Sequence, residues 1–260
     1  MIERVKTGID GLDKALEGGI PRGNITLVSG GAGTGKSTLA MQFLINGAKD
    51  FGEKGLYIST EQAKKELYKT AESFGWNLEQ LELSGKLKIA YFDVVETDGF
   101  LEKIYELYTT FKPKRVVIDS LTTLTDSLLV SGIGEKSGFS MVQIAETVSP
   151  IPRTERIVSK NLLYHLMKKL RLFDATIMLT SELLEKSEGL SADEISEFIC
   201  DGVFVIELIS GWGKGSLRNI RIRKMRYTEH VTKSLPLQLT PKGVTIDLTD
   251  SSGKSDNITL

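Results

Sequence analysis

The apolar and polar positions of the chain alternate between two periodicities. Short runs rich in β-branched residues occur at 25–29, 56–59, 87–92, 116–119, 176–180, 203–208 and 219–225. Their length and composition are those of buried strands. Between the early runs lie helix-length segments at 37–50, 62–74 and 100–111. Strands separated by helices predict right-handed crossovers and a mostly parallel sheet covered on both faces. From Val203 onward the runs follow one another through short glycine-containing connections, which predicts an antiparallel extension. The expected fold class is α/β. No repeat or linker divides the chain, so one domain over 1–250 is expected, with the polar segment 251–260 as a disordered tail. Residues 128–156 contain Ser-Gly-Ile-Gly, Ser-Gly and Pro-Ile-Pro. They read as a long loop with a short helix around 141–146.

One motif carries specific chemistry. Gly30-Gly31-Ala32-Gly33-Thr34-Gly35-Lys36-Ser37 has the spacing G-x-x-x-x-G-K-[ST], after an expected strand and before an expected helix. The glycines let the backbone curl so that its N–H groups converge on a polyphosphate, and the helix N-terminus adds positive potential. The expected nucleotide-binding residues are Gly31, Ala32, Gly33, Thr34, Gly35, Lys36, Ser37 and Thr38. Lys36 would reach the β- and γ-phosphates and the Ser37 hydroxyl would hold Mg²⁺, so ATP and Mg²⁺ are the implied cofactors.

Two carboxylates complete the candidate machinery. Asp119 ends the run 116–119. Alone it would read as a turn residue; beside a phosphate-binding loop it is the expected second support for Mg²⁺. Glu61, after the run 56–59, is the candidate for polarising an attacking water. The plainer alternative for Glu61 is a charge favouring the start of the next helix. Ser181, closing the run 176–180, is a candidate sensor of the γ-phosphate.

Composition narrows the class. There are 33 basic and 34 acidic side chains, a net charge of −1, which argues against coating nucleic acid by bulk charge. Cys200, His165 and His230 are the whole Cys and His complement, too few for a structural zinc site, and one Cys cannot form an internal disulfide. No apolar run approaches the ~18 residues of a membrane span, and the first residues carry no secretion signal. A reducing cytoplasm is expected. The near-neutral total hides an uneven distribution: Lys214, Arg218, Arg221, Arg223, Lys224 and Arg226 occur with no acid between them, whereas 182–197 is acidic.

Together these residues resemble the RecA/RadA/KaiC group, most closely single-domain KaiC-like ATPases of archaeal type. Thr7-Gly8-Ile9-Asp10-Gly11-Leu12-Asp13 and Gly18-Gly19-Ile20-Pro21-Arg22-Gly23 are similar to that group's entry segment. Glu61 matches its catalytic glutamate, with Gln62 where KaiC has a second one. Lys224-Met225-Arg226-Tyr227-Thr228-Glu229-His230 resembles the KaiC pattern K-[LM]-R-G-T-x-H, with Tyr227 at the family's glycine. The resemblance covers about 5–247. It implies a RecA-like P-loop NTPase core and a Mg-dependent ATPase with Glu61, Lys36, Lys224 and Arg226 as catalytic residues. It also implies self-association as a hexamer or another ring or filament, with ATP between subunits and Lys224 and Arg226 reaching the neighbour's nucleotide.

Strand alternation agrees, since Ile220, Ile222, Lys224 and Arg226 fall on one face. Without the resemblance, a solvated basic edge strand would be the plainer reading. Only 24 residues precede the expected loop strand, so RadA's N-terminal DNA-binding domain is not expected here. The use expected for such an ATPase is DNA recombination or repair as a RadA paralogue, with single-stranded DNA or a recombinase as partner. The alternative is a signalling or assembly ATPase that gates protein partners without binding DNA. The loops that would face DNA, 128–156 and 183–197, are not basic stripes; Lys214, Arg218, Arg221 and Arg223 form the better cluster.

Overall fold

A computed structural model of the chain describes residues 2–93, 99–125, 152–183, 189–210 and 216–248. Short β1 (Arg4–Val5) and β2 (Ile20–Pro21) pair with each other. Six parallel strands form most of the main sheet: β3 (Ile25–Gly30), β4 (Gly55–Ser59), β5 (Leu87–Tyr91), β6 (Arg115–Asp119), β7 (Thr176–Glu182) and β8 (Gly202–Ser210). The antiparallel β9 (Ser216–Met225), β10 (Leu235–Thr240) and β11 (Gly243–Ile246) extend it, giving the order β11-β10-β9-β8-β3-β7-β6-β4-β5. Every residue of β3, β4 and β6 is buried, as strands covered on both faces must be.

Helices supply the two covers. On one face α2 (Lys36–Asp50), after the single turn α1 (Leu12–Ala15), packs Leu39, Phe43 and Leu44 over Val28, Tyr57, Val117 and Met178. The helices α3 (Lys64–Ser73) and α4 (Leu78–Leu83) join that layer. The opposite face is covered by α5 (Phe100–Phe111) and α6 (Pro152–Leu170). In α6 the buried Leu163, Leu166, Met167 and Leu170 follow the i, i+3, i+4, i+7 spacing of one helix face. A last turn, α7 (Ser196–Ile199), precedes β8.

The α/β class and the antiparallel extension agree with the sequence. Residues 152–156, expected in the loop, instead begin α6; Pro152 fits a first helical position, where its missing N–H costs nothing. The helix expected around 141–146 and the tail 251–260 lie outside the described residues.

Arg115 locks the layers together. Its side chain is 1% exposed, with Nε 2.7 Å from Glu53 Oε2. Nη1 donates to Phe43 O at 2.8 Å and Nη2 to Lys6 O at 2.8 Å, and the guanidinium lies over the Phe43 and Phe51 rings. It passes α2 at Gly47, where a Cβ would come within 2.5 Å of Arg115 Cδ, so only glycine admits it. Burial pulls its pKa down, and Glu53 pulls it back up. Removing one partner of a buried pair typically costs about 3–5 kcal/mol. Arg115→Ala is expected to lose that much in equilibrium urea unfolding; a loss below about 1 kcal/mol, the scale of an exposed pair, would show that the lock contributes little.

Candidate nucleotide-binding site

All six parallel strands end at the same edge, and there the loop 30–35 joins β3 to α2. Gly33 and Gly35 have φ of +70° and +104°, and a Cβ on Gly30 would lie 2.3 Å from Ile206 O. The loop conformation therefore requires glycine at these positions. Thr34 Oγ1 donates to Gly31 O at 2.9 Å, and Lys36 Nζ donates to the same carbonyl at 2.9 Å. Burial pulls the Lys36 ammonium below its ordinary range, opposed by Glu182, Asp119 and Glu61. Its bond to Gly31 O holds the ammonium over the loop.

Strand register brings the carboxylates to that loop. Val117 pairs with Tyr57 and Met178, and Asp119 lies opposite Ser59. Alternation puts Tyr57, Asp119 and Thr180 on the sheet face that α2 covers. Asp119 is 4% exposed. Its Oδ1 accepts from Ser37 Oγ at 3.2 Å and from Thr180 Oγ1; its Oδ2 accepts from Tyr57 OH. Burial, then the Asp119 charge, raises the Tyr57 pKa well above its usual value, so the phenol stays a donor. Glu61 Oε1 accepts from Ser120 Oγ and, at 2.9 Å, from Thr123 Oγ1. The peptide between Asp119 and Ser120 is cis.

A cleft of about 310 Å³ is lined by Ala32, Gly33, Gly35, Lys36, Ser37, Thr38, Glu61 and Asp119, among others. The sequence-derived residues are thus brought together, apart from Lys224 and Arg226. Gly31 and Thr34 stand in the same loop. Ser181 is buried, with Oγ 3.3 Å from Thr122 Oγ1, while its neighbour Glu182 lines the cleft. Ser37 and Asp119 fit Mg²⁺, a hard ion that takes a hydroxyl, phosphate oxygens and water. Among the described residues no group of three His, Cys, Asp or Glu side chains is placed to hold a metal.

Lys224 and Arg226 lie at the opposite edge of the sheet. β9 runs antiparallel to β8, so Lys224 pairs with Val203 at the start of β8. The Arg226 N–H donates to Asp201 O, and Asp201 N donates to Ile25 O at the beginning of β3. About 17 Å of strand separates that point from the loop. Neither cation reaches the loop 30–35 of its own chain. Lys224 Nζ caps the Glu197, Phe198 and Cys200 carbonyls at 3.1, 3.2 and 2.6 Å. Arg226 Nη1 and Arg171 Nη1 flank Asp201 at 2.8 and 3.0 Å. Tyr227 holds φ +63°, a left-handed turn that costs a non-glycine residue about 1–2 kcal/mol.

Sequence reasoning missed several contacts. Tyr57 and Thr180 hold Asp119, and Ser120 and Thr123 hold Glu61. Arg218, read as part of a basic cluster, lies over the loop with Nη2 3.2 Å from Gly33 O. The Tyr57 hydroxyl, between Leu56 and Ile58 in a wholly buried strand, was the available signal. Lys214 and residues 126–151 lie outside the described residues.

Comparison with known proteins supplies the family. A family model described as a KaiC ATPase matches residues 5–135 and 135–251. A UPF0273 protein of Thermotoga maritima is 33% identical over 250 residues, covering 95% of this chain and 96% of that protein. The circadian clock oscillator protein KaiC of a Nostoc species is 31% identical over 255 residues, covering 94% of this chain but 44% of its own length. The chain thus spans less than half of that clock protein. The crystal structure of a KaiC-like protein from Pyrococcus horikoshii superposes with a TM-score of 0.76 at 34% identity, covering 95% of this chain and 100% of that one. Among the described residues no helix is long and apolar enough to cross a membrane.

The Asp201 cluster titrates with a definite sign. Burial raises the Asp201 pKa, but Arg171, the Ile25 N–H and Arg226 together hold it below 3.8. A depressed folded pKa contributes stability above the unfolded value, and that stability is lost as pH falls through the folded one. Asp201→Asn should be less stable than the parent at neutral pH by about 1.5–3 kcal/mol, the worth of charged hydrogen bonds. In denaturant titrations the gap should close as pH drops well below 3.8. A gap independent of pH would refute the assignment.

Proposed function

Because the chain belongs to the KaiC ATPase family, we propose that it binds Mg-ATP in the cleft above α2 and hydrolyses it between self-associated subunits. One observation carries the second half of this reading: Lys224 and Arg226 stand at the sheet edge away from their own loop. In a heterologous, head-to-tail contact that edge of one subunit faces the loop of the next, and repetition closes a ring or extends a filament. A hexameric ring is the assembly we favour.

The backbone N–H groups of Gly31–Thr38 and the Lys36 ammonium bind the polyphosphate, and the Ser37 hydroxyl and Asp119 carboxylate fit the metal. Mg²⁺, when bound, neutralises charge on the β- and γ-phosphates. The Ser120 and Thr123 hydroxyls grip Glu61 Oε1, leaving Oε2 to orient water and take its proton. The water oxygen bonds to Pγ as the bond to the β-phosphate oxygen breaks, releasing ADP and phosphate. Lys224 and Arg226 of the adjoining subunit stabilise the charge of that transition state, a contribution that reaches ~10³–10⁵ in other NTPases.

For the use of this cycle, the signalling or assembly reading has the better support. Within the basic cluster Lys214, Arg218, Arg221 and Arg223, Arg218 is engaged with its own chain on Gly33, and Lys224 and Arg226 are given to the adjoining subunit's nucleotide. The clock-oscillator names of several relatives point the same way. A DNA-repair role as a RadA paralogue, acting on single-stranded DNA or a recombinase, would need a free basic stripe. Arg221 and Arg223 remain for it.

Two measurements test these assignments. Lys36→Ala and Arg226→Ala subunits, each inactive alone, are mixed in equal amounts and checked for assembly by native mass. A random mixture makes about a quarter of its interfaces competent, so activity should return to about that fraction of the parent. No recovery in confirmed mixed assemblies would remove the role in trans. Titration with single-stranded DNA at about 50 mM salt should show no binding; tight binding with a steep salt slope would favour the DNA reading instead.

A further inference from the structure

Tyr57 takes no part in the hydrolysis proposed for the cleft. It lies in the middle of β4, 1% exposed, in the layer beneath α2. Phenylalanine would fill that space equally well, so the hydroxyl needs its own explanation. A buried phenol needs a partner, and this one is the Asp119 carboxylate.

The three hydroxyls on that carboxylate are not equivalent. Ser37 and Thr180 both donate to Oδ1, whereas Tyr57 is the one donor to Oδ2 among the described residues. The torsion that turns a carboxylate plane is broad and soft. A group held at one oxygen alone can swing about that contact. Held at both, its plane is fixed. Tyr57 is also a rigid donor, since its ring is enclosed by the packed layer beneath α2.

We propose that Tyr57 is a positioning residue for Asp119, its phenol fixing the carboxylate plane so that Oδ1 stays against the Ser37 hydroxyl, the pair that fits the metal of a bound nucleotide. This rests on the Mg-nucleotide reading of the cleft. Outer partners that orient a ligand usually contribute 10–100-fold to metal affinity.

The test is Tyr57→Phe in the full chain, with Mn²⁺ as a spectroscopic probe binding to the protein–ADP complex. Mn²⁺ affinity should fall by about 10-fold or more. ADP affinity in EDTA should stay within about twofold of the parent, because the loop that binds phosphate is untouched. A role limited to packing would lower stability and leave Mn²⁺ affinity unchanged, and that result overturns the proposal. Thr180→Val gives an independent comparison, removing a donor from Oδ1 while Ser37 still holds that oxygen. It should weaken Mn²⁺ less than Tyr57→Phe, and the reverse order also overturns the proposal. If the parent protein–ADP complex takes up no Mn²⁺, the failure lies with the Mg-nucleotide reading, and the proposal falls with it.

Discussion

The direction of the parallel strands is the constraint on which the rest depends. β3, β7, β6 and β4 lie side by side and end at one edge, so residues far apart in sequence arrive together. Gly30 starts the loop at the end of β3, Asp119 ends β6, and Glu61 follows β4 by two residues. Crossover helices make this arrangement possible, and their apolar faces in turn require that every strand between them be buried. The buried Asp119 is tolerated because hydroxyls from α2, β4 and β7 surround it. Tilting any one of those elements would take a hydroxyl partner from a buried charge. Folding the sheet and building the site are therefore one process.

The same direction also separates the cations of β9 from one another. Antiparallel β9 begins near the loop and ends away from it, which divides its cations. Arg218 falls beside the loop of its own chain, while Lys224 and Arg226 are carried to the far edge. There Asp201 organises them, accepting from Arg171, Arg226 and the first N–H of β3. A residue that pairs with Arg226 and caps β3 ties the orientation of the far edge to the strand that leads into the loop. Reorienting Arg226 toward another molecule would exchange the Asp201 ion pair for a contact with phosphate, a more highly charged acceptor.

Much of this was legible in the sequence because it depends on local chemistry. A glycine loop with Lys and Ser needs only its own eight residues. Val116, Val117 and Ile118 before Asp119 announce a buried strand ending in a carboxylate. Properties arising from register were not legible. Tyr57 meets Asp119 across 62 positions, and Arg218 meets Gly33 across 185. Nothing near either residue specifies the pairing of β4 with β6 or of β9 with β8. The strand β10 was hidden for a different reason: Pro236 removes a ladder donor and argues against a strand in the middle of a sheet. The start of α6 was obscured by Pro-Ile-Pro, which reads as a loop until its second proline takes the first helical position.

Near-neutral charge also takes on meaning once the pairs are located. The acidic segment after β7 and the basic end of β9 do not merely cancel. Glu197 O and Cys200 O, at the close of the acidic segment, accept from Lys224 Nζ, and Asp201 accepts from Arg226. Burial and the neighbouring Arg226 both lower the Lys224 pKa, yet carbonyls around its ammonium keep the charge hydrogen-bonded. Cations held in this way are already hydrogen-bonded within their own chain, so a contact with another molecule would replace those bonds. A bulk-charged surface would attract anions from farther away but could not orient itself toward one phosphate group.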